Sequence, residues 1–185
     1  LKLPGVFPRI ASSDIQLEIL LSGLVPDTVP PSVGAAIKRK KLYGLDSHAK
    51  LKIFLDQRRY GHSLSVAKLA AALAARHGAD TIAAARAALL HDCAKSLPPA
   101  RMAAYATKRL SRGDFALFQK HATCLLHAAA GAELAGTVFG VQDTTVLAAI
   151  KRHALGDIEM SLLDKLVYVA DMVLSFLVYG PWKDP

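Results

Sequence analysis

Apolar residues recur at helical spacing along most of the chain from Leu45 onward. The clearest helix ends before Gly78, a typical C-terminal stop, and its apolar positions are Leu64, Val66, Leu69, Ala70 and Leu73. Asp80 is a favourable N-cap, so a second helix is predicted from Thr81 to about Lys95, where Pro98-Pro99 would end it. The pattern therefore indicates an all-α fold.

Further cap and turn residues divide the rest of the chain into shorter helices. They predict helices over about 99–110 and about 123–139, and another that starts at Asp143 and ends near His153. Ser111-Arg-Gly113-Asp is predicted to be a turn. Ser161, with Asp164 three residues later, resembles a capping box and would begin a final, buried helix containing the apolar stretch 162–179.

The first 46 residues differ from the rest. They hold five of the nine prolines and end in the basic run Lys38-Arg39-Lys40-Lys41. We expect a short, helical N-terminal extension here, with Ser12 or Ser13 at an N-cap.

Composition narrows the class of protein. A chain of 185 residues is expected to form one domain, and 6% aromatic residues in an Ala- and Leu-rich chain favour helices over a β-sandwich. The net charge of +8 is spread along the chain, which fits a small polyanionic ligand or a generally basic surface. No RNA-binding motif, zinc finger or recognition helix is evident, so we expect no nucleic-acid partner.

The chain contains neither an apolar run of 18 residues nor a positively charged segment ahead of an apolar one, so we expect no membrane span and no secretory signal. Its two cysteines, Cys93 and Cys124, lack Cys-x-x-Cys spacing and predict neither a disulfide framework nor a thiolate metal site. They fit a reducing compartment, and we expect a cytoplasmic protein.

Metal-ligating side chains occur where an unpaired polar group would be costly. His91-Asp92 ends an apolar helix, and four further candidates lie in or just beyond apolar segments: His62, His127, His153 and Asp171. Imidazoles and carboxylates without thiolates suit iron, manganese, cobalt or zinc. Six ligands are too many for one tetrahedral zinc and suit two metal ions.

Each residue taken alone has an ordinary alternative. His62 could be a cap or surface histidine, His127 a satisfied core histidine, and His153 a cation at a helix C-terminus. Asp171 is the hardest to explain in this way, because a carboxylate on an apolar helix face needs a partner. His48 and His77 do not fit the pattern, and His121 is a reserve ligand.

The ordered set of these residues resembles the HD-domain metal-dependent phosphohydrolases, and within them the YqeK-like symmetrical diadenosine tetraphosphate hydrolases. The resemblance covers roughly residues 50–173 and rests on Arg59-Tyr-Gly-His62-Ser-Leu-Ser-Val, Leu-Leu-His91-Asp92-Cys-Ala-Lys95, Leu-Leu-His127-Ala-Ala-Ala-Gly-Ala, Ala-Ile-Lys-Arg-His153-Ala-Leu-Gly156 and Met160-Ser-Leu-Leu-Asp-Lys-Leu-Val-Tyr-Val-Ala-Asp171. It implies an HD-domain helical bundle over residues 47–175, followed by a divergent tail over 176–185.

The resemblance also implies how the ligands are shared. Asp92 would bridge two metal ions, for which the resemblance implies iron, with His62, His91 and Asp171 completing one site and His127 and His153 the other. A water held between two cations loses its proton near neutral pH and can attack phosphorus. The implied reaction cuts diadenosine tetraphosphate to two ADP, and a homodimer is left open as the assembly.

Cationic residues near the ligands are candidates for substrate binding. Lys95 follows Asp92 by three residues, so on one helix the two would share a face, and Lys95 could assist catalysis at a phosphate. Arg59 precedes His62 by three residues and could bind phosphate likewise. Gly156, in the motif that contains His153, is the third candidate substrate contact.

Two segments depart from the family pattern. The Ile-Glu-Pro-x-Arg segment usual after the last aspartate is replaced by Met172-Val-Leu-Ser-Phe, and the Thr-Thr-Gly-Arg usual after the fourth histidine by Ala154-Leu-Gly-Asp157. One cationic and one hydroxyl contact to nucleotide are thereby missing. Two alternatives stay open: another HD nucleotidase or phosphodiesterase, and a non-catalytic nucleotide-binding module attached to an NAD-synthesis enzyme.

The extension resembles a second family. Phe7-Pro-Arg-Ile-Ala-Ser12-Ser13-Asp14-Ile15-Gln16 is similar to the C-terminal tail of bacterial nicotinate-nucleotide adenylyltransferases, where a Ser-Ser-Thr-x-Ile-Arg motif lies near ATP phosphates. Gln16 stands where that motif has its arginine, which removes a bidentate phosphate donor. We interpret residues 1–46 as a remnant, or the end of a fused upstream domain, that cannot catalyse adenylyl transfer alone.

Overall fold

A computed structural model describes residues 11–179, and these residues form ten α-helices and no strand. The predicted all-α fold is confirmed. The helices are α1 (Ser12–Ser22), α2 (Pro31–Lys40), α3 (Ser47–Phe54), α4 (Gln57–Arg76), α5 (Thr81–Leu90), α6 (Pro99–Ala106), α7 (Arg112–His121), α8 (Leu126–Thr137), α9 (Thr144–Arg152) and α10 (Leu162–Tyr179). Among the described residues, no helix has both the length and the apolar character needed to cross a membrane.

One hydrophobic core joins α4, α5, α8, α9 and α10. The most extensive helix contact is between α4 and α5, and α10 packs on α4, α5 and α9. Small side chains make close packing possible, because α4, α5 and α8 all turn alanines into the core. Larger side chains fill the space between them, including Val66, Leu90, Leu134, Ile150 and Val167.

Three predicted helix starts are confirmed by hydrogen bonds. The Asp80 carboxylate accepts from the amides of Ile82 and Ala83 at the start of α5, and Asp143 caps α9 in the same way. Ser161 and Asp164 form a reciprocal capping box at the start of α10.

Several expectations about individual helices were wrong. Helix α5, predicted from Thr81 to about Lys95, ends at Leu90, and residues 91–96 form consecutive turns. Ser111 is not part of a turn, because its hydroxyl accepts from the amide of Asp114 and caps α7. The last helix is only partly buried and exposes a row of apolar side chains, namely Val169, Met172, Val173 and Phe176.

The described part of the extension is helical and packs against the main core. Helix α1 contacts α5, and a small second core contains Ile19, Val29 and Ile37. The N-cap of α1 is Ala11, not Ser12 or Ser13, and its amide donates to the Asp14 carboxylate. Residues 1–10 of the predicted extension and 180–185 of the predicted tail lie outside the described residues, and the predicted domain boundaries stay predictions.

His48 joins the extension to the main domain. One ring nitrogen lies 2.9 Å from the Leu20 carbonyl oxygen at the end of α1, and the other lies 2.9 Å from the Tyr60 hydroxyl on α4. Burial lowers the pKa of His48, so the ring is neutral near pH 7. This histidine therefore has a structural role, in agreement with its absence from the predicted ligand set.

Candidate metal centre

The fold brings the six predicted ligands into one cluster in the helical core. His62 lies on α4, His91 and Asp92 begin the turns after α5, and His127 lies in the first turn of α8. His153 follows the end of α9, and Asp171 lies in the middle of α10. All except His62, which is half-buried, are buried.

Asp92 presents its two carboxylate oxygens to different histidines. Oδ1 lies 3.3 Å from Nε2 of His127 and 3.5 Å from Nε2 of His153. Oδ2 lies 3.5 Å from Nε2 of His91. Because each oxygen faces its own set of nitrogens, Asp92 has the placement that a bridging ligand requires.

Asp171 completes the other half of the cluster. Its Oδ1 lies 2.9 Å from Nε2 of His62 and 3.5 Å from Nε2 of His91. Ligand atoms of His62, His91 and Asp92 lie within 4.8 Å of one another, and so do those of Asp92, His127 and His153. These two triads share only Asp92, as the two predicted half-sites do. A third close group of ligand atoms, from His91, His153 and Asp171, links the two half-sites.

Backbone carbonyls orient three of the imidazoles. Nδ1 of His91 donates to the carbonyl of Ala88, that of His127 to Cys124, and that of His153 to Ile150, in each case three residues earlier. A carbonyl oxygen only accepts, so Nδ1 carries the proton in all three rings. In the neutral rings, each Nε2 then directs a lone pair into the cluster.

The arrangement of lone pairs fits bound cations. Nε2 of His127 and Nε2 of His153 are 3.1 Å apart, and two lone pairs at that distance repel unless a cation or proton lies between them. Within residues 11–179, the buried atoms His91 Nε2 and Asp92 Oδ1 have no hydrogen-bond partner. A metal ion would satisfy both atoms, because each would become a ligand.

The charges in the cluster depend on one another. Burial alone would lower the pKa of His91, but the nearby carboxylates of Asp92 and Asp171 raise it to about 10. Burial alone would raise the pKa of both aspartates, but the histidines hold it well below the usual range. Burial lowers the pKa of His153, which is therefore neutral at pH 7. Without a metal, His91 is thus the cation that balances the carboxylates.

A cavity of about 310 Å³ opens onto the cluster at the predicted phosphate-binding cations, and Arg59, His62, Asp92 and Lys95 are among its lining residues. Lys95 Nζ lies 2.9 Å from Asp92 Oδ2, although it reaches Asp92 through a turn rather than along a helix. One guanidinium nitrogen of Arg59 contacts Asp56 Oδ2 at 3.0 Å and Ser96 Oγ at 3.1 Å.

Gly156 lies elsewhere. It lines a separate cavity of about 270 Å³ together with Arg152 and Asp157, which pair at 2.9 Å. The reserve ligand His121 is exposed and belongs to none of the clusters of ligand atoms in the described residues.

Sequence reasoning missed Ser175. Its hydroxyl donates to Asp171 Oδ1 at 3.1 Å and lines the cavity over the cluster. A polar residue four positions after Asp171, inside an apolar run, was the available signal, since that spacing places both residues on one helix face. Ser175 therefore supports a predicted ligand from outside the ligand set.

The comparisons with known proteins agree with this geometry. The HD domain family matches residues 59–174. A symmetrical bis(5'-nucleosyl)-tetraphosphatase of Halalkalibacterium halodurans is 36% identical over 123 residues, which cover 66% of this chain and 64% of that protein. A probable nicotinate-nucleotide adenylyltransferase/Ap4A hydrolase of Mycoplasma genitalium is 34% identical over 143 residues, which cover 77% of this chain and 39% of that protein. The chain thus spans less than two thirds of either relative.

A solved structure has the same fold. The crystal structure of a predicted HD superfamily hydrolase involved in NAD metabolism, from Clostridium acetobutylicum, superposes with a TM-score of 0.61 at 36% identity. The superposition covers 75% of this chain and 69% of that one. Since the family match spans more than half of the chain and includes all six clustered residues, the chain belongs to the HD domain family.

Proposed function

We propose that this protein hydrolyses diadenosine tetraphosphate symmetrically, giving two ADP, at a dinuclear metal centre. The observation that carries the proposal is the pair of ligand triads that meet at Asp92. A single metal would need only part of this set, whereas two metals use all six ligands. The relatives named as symmetrical tetraphosphatases support the substrate and the mode of cleavage.

The residues divide into two half-sites around Asp92. His62, His91 and Asp171 would hold one metal ion, and His127 and His153 the other. We propose iron, which this mixture of imidazole and carboxylate ligands suits; manganese, cobalt and zinc suit it as well. When bound, the two cations supply Lewis-acid activation of water near neutral pH and offset negative charge on the phosphoryl oxygens.

The protein itself supplies position and charge. Backbone hydrogen bonds hold His91, His127 and His153 in the tautomer that leaves Nε2 free to act as a ligand. Lys95 contacts Asp92 and also reaches the cavity, so it can bind the phosphate nearest the ligands. Arg59 lies at the same opening and provides a second cation for the polyphosphate chain.

The test is hydrolysis of diadenosine tetraphosphate by anaerobically iron-loaded protein, with products separated by chromatography and metal counted. We expect ADP as the sole product and about two metals per chain. Asp92→Ala should lose both metals and His127→Ala one. His121→Ala is the matched control, because that histidine is exposed and lies outside the cluster.

Each other result selects a different function. AMP together with ATP would mean an asymmetric hydrolase, and one metal per active chain a mononuclear nucleotidase or phosphodiesterase. A fully metallated protein that binds nucleotide without turnover would be the non-catalytic module instead.

We also propose that two copies of the chain pair through α10. The apolar side chains that α10 exposes, Val169, Met172, Val173 and Phe176, follow helical spacing and lie on one face. A row of this kind is uncommon on a monomer and suits an isologous contact, in which each copy offers the same face. The cytoplasmic location, and the origin of residues 1–46 in an adenylyltransferase tail, stay predictions from the sequence.

A further inference from the structure

A second cavity adjoins the metal centre on the far side of Lys95. It measures about 470 Å³ and is bordered by the turns after α5, by α6 and α7, and by the segment that leads into α8. None of the predicted site residues except Lys95 lines it.

The lining of this cavity is mostly apolar, with a few polar groups. Leu97, Met102 and Leu126 contribute apolar surface, and Leu97 and Leu126 are themselves buried. Gln119 and Thr123 add an amide and a hydroxyl on the side of α7. An apolar cavity with a few convergent polar groups is typical of a site for a small organic ligand.

One side chain, Lys95, borders both this cavity and the cavity over the metal centre. The Lys95 side chain lines both cavities, and its ammonium lies 2.9 Å from Asp92 Oδ2. On the other border, the Cys124 carbonyl accepts a hydrogen bond from His127 Nδ1, and Cys124 also lines the cavity. A ligand in this cavity would therefore contact Lys95 and Cys124, and each of these residues is hydrogen-bonded to a predicted metal ligand, Asp92 or His127.

We propose that this cavity binds the adenosine end of the nucleotide, with the phosphates passing over Lys95 to the metal centre. The inference rests on the proposed function and extends it by assigning a site to the nucleoside. A purine base has apolar faces, which Leu97, Met102 and Leu126 can cover. The Gln119 amide can pair with the amino group and adjacent ring nitrogen of adenine, a bidentate pairing that glutamine commonly makes.

The experiment compares ADP with pyrophosphate, which offers the phosphates without the nucleoside. Binding of each to manganese-loaded protein is measured by isothermal titration calorimetry. Ala103→Trp places a large ring in the cavity, whereas Ala104→Trp adds the same ring to an exposed position of α6 that does not line it. Melting temperature and metal content establish that both variants are folded and loaded.

We expect wild-type protein to bind ADP at least about tenfold more tightly than pyrophosphate, a difference of ~1.4 kcal/mol. Ala103→Trp should abolish that preference and leave pyrophosphate binding within about twofold of wild type, since the metal centre is untouched. Ala104→Trp should behave as wild type. Gln119→Leu, an exposed change that does not endanger the fold, should reduce the preference for ADP over uridine diphosphate.

The proposal is overturned if wild-type protein binds ADP no more tightly than pyrophosphate, including the case in which neither binds. It is also overturned if Ala103→Trp and Ala104→Trp have equal effects on ADP, or if Gln119→Leu leaves the nucleobase preference unchanged. These binding results can be told apart from a failure of the proposed hydrolysis, because they do not depend on cleavage of diadenosine tetraphosphate. A protein that binds ADP in this cavity but does not cleave diadenosine tetraphosphate keeps the nucleoside site and loses the assigned reaction.

Discussion

At the scale of single residues, the charge of His91 makes metal binding depend on protons. Its pKa of about 10 in the metal-free protein lies above the ordinary value of about 6.5 for histidine, so the ring is protonated at pH 8. Only a neutral imidazole can be a metal ligand. Binding a metal at His91 must therefore expel a proton, whereas His153 is already neutral and expels none.

We expect metal-free protein to release one proton per chain from His91 when it binds Mn²⁺ at pH 8, in addition to any proton lost by metal-bound water. The measurement is titration calorimetry in two buffers with different enthalpies of ionisation, because the difference in heat counts the protons. Metal affinity should accordingly rise with pH across this range. Identical heats in both buffers would contradict the charge assigned to His91.

Residue chemistry predicted much of the candidate site. Asp171 was the strongest single signal, because a carboxylate within an apolar helix needs a partner, and the structure places it against His62 and His91. The spacing of residues could not reveal that the two oxygens of Asp92 face different histidines. That detail depends on how the turn after α5 is oriented between α8 and α9, which is a property of the packed core.

At the scale of elements, the position of α8 depends on a glycine. A β-carbon at Gly131 would lie 3.2 Å from the carbonyl oxygen of His91 and 3.7 Å from Sγ of Cys93. The α8 backbone can therefore approach the segment that carries His91 and Asp92 because residue 131 has no side chain. This close approach brings His127 within reach of Asp92.

Two glycine substitutions within helices should have opposite effects on stability. Gly131→Val inserts methyl groups where there is no space, so we expect a loss of about 1–3 kcal/mol and weaker metal binding. Gly61→Ala is the matched variant, since a β-carbon at this position of α4 meets nothing within 4 Å. It should gain about 0.5–1 kcal/mol from the higher helix propensity of alanine.

Chemical denaturation with a metal count at each step measures both changes. A gain in stability from both substitutions would show that helix propensity, rather than contact with His91, governs residue 131.

Helices were predictable where their caps were unambiguous, as at Asp80 and Asp143. Helix α7 was missed because Ser111-Arg-Gly-Asp suits a turn as well as an N-cap, and only contacts from the rest of the fold decide between them. The early end of α5 was missed because no glycine or proline interrupts residues 91–97. There, tertiary packing overrides local helix propensity, and the resulting turns carry His91 and Asp92.

At the scale of the whole molecule, the apolar face of α10 determines the expected assembly. Phe176→Glu should convert a dimer to a monomer, because a carboxylate on each copy would be buried at the contact without a partner. Ile53→Glu is the control, since Ile53 is more exposed than Phe176 but lies on α3. Size-exclusion chromatography with light scattering measures the mass. A monomeric wild-type protein, or a dimer that survives Phe176→Glu, would exclude this interface.

Three of the histidines predicted to bind metal take their orientation from the peptide backbone rather than from another side chain. A carbonyl group is present whatever amino acid occupies the position, so a point substitution at Ala88, Cys124 or Ile150 leaves the acceptor in place. The orientation of these three rings is thus insensitive to which side chain occupies the acceptor position. It depends on the ligands themselves and on the helices that carry them. The segments after His153 and Asp171 could therefore change in sequence during evolution, and alter substrate choice, while the geometry of the metal centre stays the same.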